Sequence, residues 1–119
     1  MNYLDMPALM KEQKETGKKD KYIEITNVLL EAADTVQTKE EKLSYMLALL
    51  ETLEAMDFQI YELYRSLQDQ FKVMLRELLS EYDGLGEAEK RMISDAIERG
   101  CGIRILLEEK YEAYVRKGE

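Results

Sequence analysis

Histidine and tryptophan are absent from this 119-residue chain, which has one cysteine, Cys101, and one proline, Pro7. Without histidine there is no imidazole general base, no Ser-His or Cys-His nucleophile, and no access to the commonest zinc ligand. A single cysteine forms no disulfide within the chain, so we expect a reducing, cytoplasmic location. Carboxylate chemistry is the catalytic option left open, and we expect no cofactor.

Turn-forming residues are scarce as well, since six glycines accompany the one proline. An all-β sandwich needs a turn signal about every 8–12 residues, and these signals are missing. No stretch approaches the ~20 apolar residues of a membrane span, and the first residues lack the apolar segment of a signal peptide. The apolar fraction of 45% is ordinary for a folded protein. These features predict an all-α chain without membrane contact.

The net charge is −8, so a phosphate backbone repels the chain unless one face is basic. Lysines are concentrated near the N-terminus, but acidic residues in the same segment nearly cancel them. We therefore expect no direct binding to nucleic acid.

The clearest pattern is an apolar alternation of three and four residues that indicates one helix face. Thr38 and Glu41 form the T-x-x-E signature of a capping box, and no glycine or proline follows before Tyr82. We predict one long helix over about 39–82. Its apolar face, named the central stripe, contains Leu43, Met46, Leu50, Leu53, Asp57, Ile60, Tyr64, Leu67, Phe71, Met74 and Leu78.

Two shorter segments with the same alternation flank the long helix. We predict antiparallel helices over 20–36, capped by Asp20, and over 87–117, with Gly84 as the C-cap of the long helix. Residues 1–19 form a short N-terminal arm with a helix at about 8–16, which is opened near Pro7 and closed by Gly17. Residues 20–119 form a single helical domain. The expected fold class is an all-α, elongated helical bundle.

The length of the central helix predicts a dimer. At 1.5 Å per residue it would be roughly 65 Å long, whereas a compact chain of this size is roughly 35 Å across. The flanking helices can cover such a rod only once, so part of the central stripe should meet a second copy. The alternative is a kink near residues 55–58 that gives a compact monomeric bundle. The predicted interface consists of Leu50, Leu53, Asp57, Ile60, Tyr64, Leu67, Phe71 and Met74.

Two features within the helical segments have more than one interpretation. Asp57 is the polar member of the central stripe. It fits a register-setting residue, a side chain that is simply exposed to solvent, or a functional acid with a raised pKa. Gly100 and Gly102 fit a close approach of another helix better than a phosphate loop, because no strand precedes them.

A pair of acidic motifs raises a different possibility. Glu12-x-x-Glu15 and Glu31-x-x-Asp34 have an E-x-x-E…E-x-x-D arrangement. In this one respect the chain resembles the all-α nucleotide pyrophosphohydrolases, and the resemblance implies that the four carboxylates hold Mg²⁺.

Three functional hypotheses follow. The first is a non-enzymatic helical adaptor, regulator or chaperone-like protein that acts as a homodimer and binds another protein in a groove. The second is an acidic inhibitor that mimics nucleic acid on a larger protein. The third is the Mg²⁺-dependent enzyme. The first is preferred because its support, the central stripe, is the strongest pattern.

Overall fold

The computed structural model describes residues 2–18, 20–56 and 61–99, except the side chains of 61–64. No strand occurs among these residues, which confirms the all-α prediction. None of the described helices is both long and apolar enough to cross a membrane. Short 3-10 helices lie at Tyr3–Asp5 and Tyr82–Gly84. The α-helices are α1 (Met6–Thr16), α2 (Tyr22–Ala32), α3 (Lys39–Ala55), α4 (Tyr61–Ser80) and α5 (Glu87–Arg99).

Two helices begin or end as their capping residues predict. Pro7 lies in the first turn of α1, and Gly17 closes α1 in the left-handed conformation at φ 71°. At the start of α3, the Glu41 amide donates to Thr38 Oγ1 over 3.1 Å. The Glu41 carboxylate in return accepts from the Thr38 amide over 3.4 Å. The predicted capping box is therefore confirmed.

Two other cap predictions are wrong. The N-cap of α2 is Lys21, without a side-chain hydrogen bond, so Asp20 does not cap this helix. Gly84 ends a 3-10 turn in which its amide donates to the Glu81 carbonyl over 3.0 Å. Gly17 is the one glycine with positive φ among the described residues. The left-handed cap predicted at Gly84 is therefore replaced by a tightened last turn.

The segment expected to form one helix over 39–82 contains two helices in this structure. α3 ends at Ala55, and Met56 is extended at φ −77° and ψ 145°. Lys42 Nζ, near the start of α3, lies 3.8 Å from Glu77 Oε2, near the end of α4, so the two helices run antiparallel. The described residues extend 46 Å along their longest axis, which is too short for a 65 Å rod. Packing α3 on α4 buries the described side chains of the central stripe within one chain, and this burial offsets the lost helical hydrogen bonds.

α3 is the central helix of the fold, with α1, α4 and α5 packed against it. Lys39 Nζ donates to the Gly84 carbonyl over 3.4 Å at one end of α5. At the other end, Arg99 pairs with Glu54 over 2.8 Å. α5 therefore runs parallel to α3 and lies mainly on it. α2 packs chiefly on α1 and α4.

One core joins all five helices. Among the side chains that are completely or almost completely buried are Met6 and Met10 from α1, Ile25 and Leu29 from α2, Leu49 and Leu50 from α3, Leu67 and Phe71 from α4, and Ile93 and Ala96 from α5. The N-terminal arm thus contributes side chains to the same core as the predicted domain that follows it.

Candidate functional site

The predicted interface residues that the structure describes are core residues of a single chain. Leu50 and Leu53 lie on α3, and Leu67, Phe71 and Met74 lie on α4, each at most 7% exposed. The structure brings them together within one chain because the antiparallel packing of α3 and α4 places the two halves of the central stripe face to face. A second copy reaches these side chains only when α3 and α4 separate.

Several predicted residues lie outside the described part of the chain. Asp57, Ile60, Gly100, Cys101 and Gly102 are not among the described residues. Tyr64 lies in α4, but its side chain is not described. The interpretations of Asp57 as a register residue or functional acid, and of the two glycines as a close helix approach, therefore stay predictions.

The four candidate metal ligands do not form a metal site. Glu12 and Glu15 on α1 are exposed, as are Glu31 and Asp34 on and just after α2. Within the described residues, no group of three or more acidic or cysteine side chains is placed to hold a metal ion. The reason is that α1 and α2 turn their apolar faces to the core, which leaves these carboxylates on the solvent side.

A groove of about 610 Å³ lies between α1 and the C-terminal half of α3. The α1 side supplies two lysines and a glutamate, and the α3 side supplies two glutamates and an alanine. Its lining residues are Lys11, Lys14, Glu15, Glu51, Glu54 and Ala55. At its edge, Glu54 also accepts a hydrogen bond from Arg99 Nε over 2.9 Å. The groove therefore places basic side chains of the N-terminal arm opposite acidic side chains of α3.

Arg99 connects this edge to α5. Its guanidinium also donates to Asp95 over 3.1 Å. Partial burial works to lower the pKa of Arg99, but the hydrogen bonds and negative charges of Asp95 and Glu54 outweigh it and raise that pKa above its usual value. The positive charge at this position is thus held firmly beside α3.

The opposite end of α1 is tied to α3 through aromatic rings. The ring of Tyr3, just before α1, meets the ring of Tyr45 edge to face, with centroids 5.4 Å apart. Tyr45 is completely buried, and its hydroxyl donates to the Leu29 carbonyl on α2 over 2.5 Å. Burial, followed by the nearby charges of Asp34 and Tyr3, raises the pKa of Tyr45 well above its usual range. Tyr45 therefore stays neutral and joins three elements.

A second depression, of about 580 Å³, lies between α2 and the residues that precede α1. It is lined by Asn2, Tyr3, Val28, Glu31, Ala32 and Thr35. The large apolar side chains most exposed among the described residues are Leu4, Ile23 and Val73, at 47–63%. They belong to the 3-10 helix before α1, to α2 and to α4, respectively.

Sequence reasoning missed the contribution of α1. Its buried side chains are Met6, Met10 and Gln13, spaced by four and three residues, which is the same signal that identified the central stripe. It also missed a second buried face of α3 that contains Tyr45, Ala48, Leu49 and Thr52. Their spacing of three and four residues was available in the sequence, but the stronger central stripe masked it.

Comparisons of the chain with protein-family models, with curated proteins and with solved structures find no match. The function is therefore argued from the residues and their geometry.

Proposed function

We propose that this protein is a non-enzymatic, cytoplasmic protein–protein interaction protein, of the adaptor, regulator or chaperone-like kind, that acts as a homodimer. The supporting observation is that the central stripe keeps one phase through α3 and α4, with no glycine or proline between Thr38 and Tyr82. Because the spacing of three and four residues continues unchanged, the stripe residues share one helix face in both arrangements. This holds when the two helices pack antiparallel and when they form one continuous helix.

The dimer would form by exchange of α4 between two copies. In each copy, α3 and α4 join into the long helix over 39–82, and α3 of one copy packs on α4 of the other. The contacts of the antiparallel pair are then kept but made between chains, as in domain swapping. The Lys42–Glu77 ion pair, 3.8 Å within one chain, becomes a pair between copies.

Local chain chemistry supports this exchange. Helix hairpins commonly turn at a left-handed glycine or near a proline. In this chain α3 ends at Ala55, Met56 is extended, and Asp57 follows in the sequence. Residues 55–60 contain no glycine or proline. Joining the two helices would therefore add backbone hydrogen bonds without placing a helix-breaking residue inside the long helix.

A proline at position 57 distinguishes the two states. The residue before a proline favours ψ of about +120 to +160°, and Met56 already has ψ 145°. Asp57→Pro is therefore compatible with the backbone of Met56 but disrupts a continuous helix, by about 3 kcal/mol or more per helix. Asp57→Ala is the matched control, because alanine favours the continuous helix.

Light scattering over a range of concentrations measures the outcome. We expect the native chain and Asp57→Ala to be dimeric and Asp57→Pro to be monomeric with the same helix content by circular dichroism. A dimeric Asp57→Pro variant rules out exchange of α4. A native chain that stays monomeric up to the highest concentration rules out the homodimer itself.

The acidic inhibitor is the second candidate, and one observation favours it. Glu24, Glu31 and Asp34 on and after α2 are exposed, and none makes an ion pair within the described residues. A basic target recognised through such carboxylates should lose affinity steeply as salt increases. Binding through apolar side chains should change little over the same range.

A further inference from the structure

The helix α1 is attached to α3 as a bound peptide would be. It turns a narrow face to the core, with Met6 and Met10 fully buried and Gln13 4% exposed. Most of its remaining residues are exposed. At 11 residues, α1 is too short to be a stable helix by itself in water, so its helical form depends on the surface on which it lies.

The surface under α1 can be traced from contacts at its two ends. Tyr3 meets Tyr45 near the start of α3, while Lys11 and Lys14 share a groove with Glu51 and Glu54 near its end. α1 therefore runs parallel to α3 along the helix face that connects Tyr45 with the groove. This is the arrangement of a helix bound in a groove, recognised through apolar side chains three and four residues apart.

Charge distribution favours a basic helix on this surface. Residues 1–19 contain four lysines and three acidic residues, so they carry +1 and leave −9 on the rest of the chain. Lys11 and Lys14 lie opposite Glu51 and Glu54, yet they form no ion pair with them within the described residues. The lysines of α1 are thus opposite in charge to the acidic edge of α3, but they do not fully neutralise it.

The connection from α1 to α2 is short and lightly attached. Gly17 ends α1, and Lys18, Asp20 and Lys21 are exposed. The Lys21 amide donates to Gln13 Oε1 over 3.4 Å, a long hydrogen bond. Among the described residues of the connection, release of α1 therefore breaks few contacts.

We propose that α1 occupies a helix-binding surface on α3 and competes there with a helix from a partner protein. The partner helix would be short and amphipathic, with apolar side chains four residues apart and lysine or arginine on the edge that faces Glu51 and Glu54. This inference rests on the proposed binding function. In it, α1 limits binding of the partner helix by competing for the same surface. A tethered competitor acts at an effective concentration in the millimolar range, so the partner binds when it displaces α1.

A synthetic, fluorescently labelled peptide of residues 2–18 is the probe, and fluorescence polarisation measures its binding to two full-length chains. In Met6→Asp/Met10→Asp, the arm loses its two fully buried side chains, and we expect α1 to leave its surface open. We expect the peptide to bind this variant and to bind the native chain at least about tenfold more weakly, because the native arm competes. Equal affinity for both chains, or no binding to the folded variant, overturns the proposal.

Two altered peptides serve as matched controls. A peptide with both methionines replaced by aspartate should not bind. A peptide with Lys11→Glu and Lys14→Glu should bind more weakly than the native peptide, and the difference should shrink at high salt. If charge reversal has no effect on affinity at low salt, the basic character assigned to the partner is wrong.

Hydrogen exchange of the native chain provides a second measurement in case the double variant does not fold. We expect the amides of α1 to be at least about 100-fold less protected than those of α3, because α1 opens without global unfolding. Equal protection in the two helices overturns the proposal. Light scattering of the same samples measures dimerisation separately. A monomeric chain that binds the peptide would contradict the proposed homodimer but support the helix-binding surface on α3.

Discussion

The α3–α4 pair and the N-terminal arm bury apolar side chains in the same core, but in different amounts. Among the described side chains of α4, six large apolar ones are buried: Leu67, Phe71, Met74, Leu75, Leu78 and Leu79. α1 buries two, Met6 and Met10. Since each fully buried side chain contributes about 1.5–3 kcal/mol, α4 has about three times the apolar stabilisation of α1. The α3–α4 contact forms the body of the fold, whereas the attachment of α1 is of the size expected for a reversible association.

The largest expected effect comes from the α3–α4 contact. Phe71→Ala removes a fully buried ring from α4 and should lower the free energy of unfolding by about 3–5 kcal/mol, because the cavity cannot fully close. Urea denaturation measures the loss. Val73→Ala on the same helix is the control, since Val73 is 47% exposed and should change stability by less than about 0.5 kcal/mol. Equal losses in the two variants would contradict the assigned burial.

A substitution in α1 sharpens the comparison. Met10→Ala should cost about 2 kcal/mol, and the cost should appear as local opening of α1 because Met6 is the one other fully buried apolar side chain of that helix. Hydrogen exchange should show faster exchange in α1, while the urea midpoint moves less than for Phe71→Ala. Glu12→Ala, at an exposed position of the same helix, should leave both measurements unchanged. A global loss as large as that of Phe71→Ala would make α1 an integral part of the core.

Tyr45 connects the two regions, and its effect depends on pH. Tyr45→Phe removes the hydrogen bond to Leu29 and should cost about 1 kcal/mol at pH 8. Burial raises the pKa of Tyr45 in the folded chain, so its contribution is complete below the unfolded pKa of about 10 and falls as pH rises through the folded value. The difference between native and Tyr45→Phe should therefore shrink by about 1.4 kcal/mol per pH unit above about pH 10. Urea denaturation measures this difference in the free energy of unfolding. A difference that stays constant from pH 8 to pH 11 would contradict the raised pKa of Tyr45.

The smallest effect is expected at the start of α3. Thr38→Ala removes the capping-box hydrogen bond to Glu41 and should lower thermal stability by about 0.5–1 kcal/mol. Ser44→Ala, at an exposed position within α3, should be neutral or slightly stabilising because alanine is the better helix former. Calorimetry that shows the same change in both variants would assign the loss to something other than the cap.

The sequence was sufficient for the features that depend on neighbouring residues. Pro7 and Gly17 bound α1, and Thr38 with Glu41 starts α3, because caps involve residues within one turn of each other. The break after Ala55 could not be predicted in this way. No glycine or proline marks it, and the central stripe has the same period in one long helix as in two antiparallel helices. That choice depends on which surface covers the stripe, which is a tertiary property.

The candidate site was predicted even less completely, for a related reason. Met6, Met10 and Gln13 had a readable helical spacing, but the many charged residues around them suggested a solvated arm. The opposition of Lys11 and Lys14 to Glu51 and Glu54 joins segments about 40 residues apart, so only the fold reveals it. The metal hypothesis rested on a spacing that is readable in the sequence. The spacing of acidic residues along two helices does not say which helix faces pack against each other.

The position of Pro7 has a consequence for folding kinetics. It is the one proline in the chain and lies in the first turn of α1, outside the α3–α4 contact. In the unfolded chain about 10–30% of Met6–Pro7 bonds should be cis, and these isomerise over tens to hundreds of seconds at 25 °C. The helices from α2 onward can assemble without waiting for this step. A slow refolding phase that is accelerated by a prolyl isomerase should therefore report on the attachment of α1 alone.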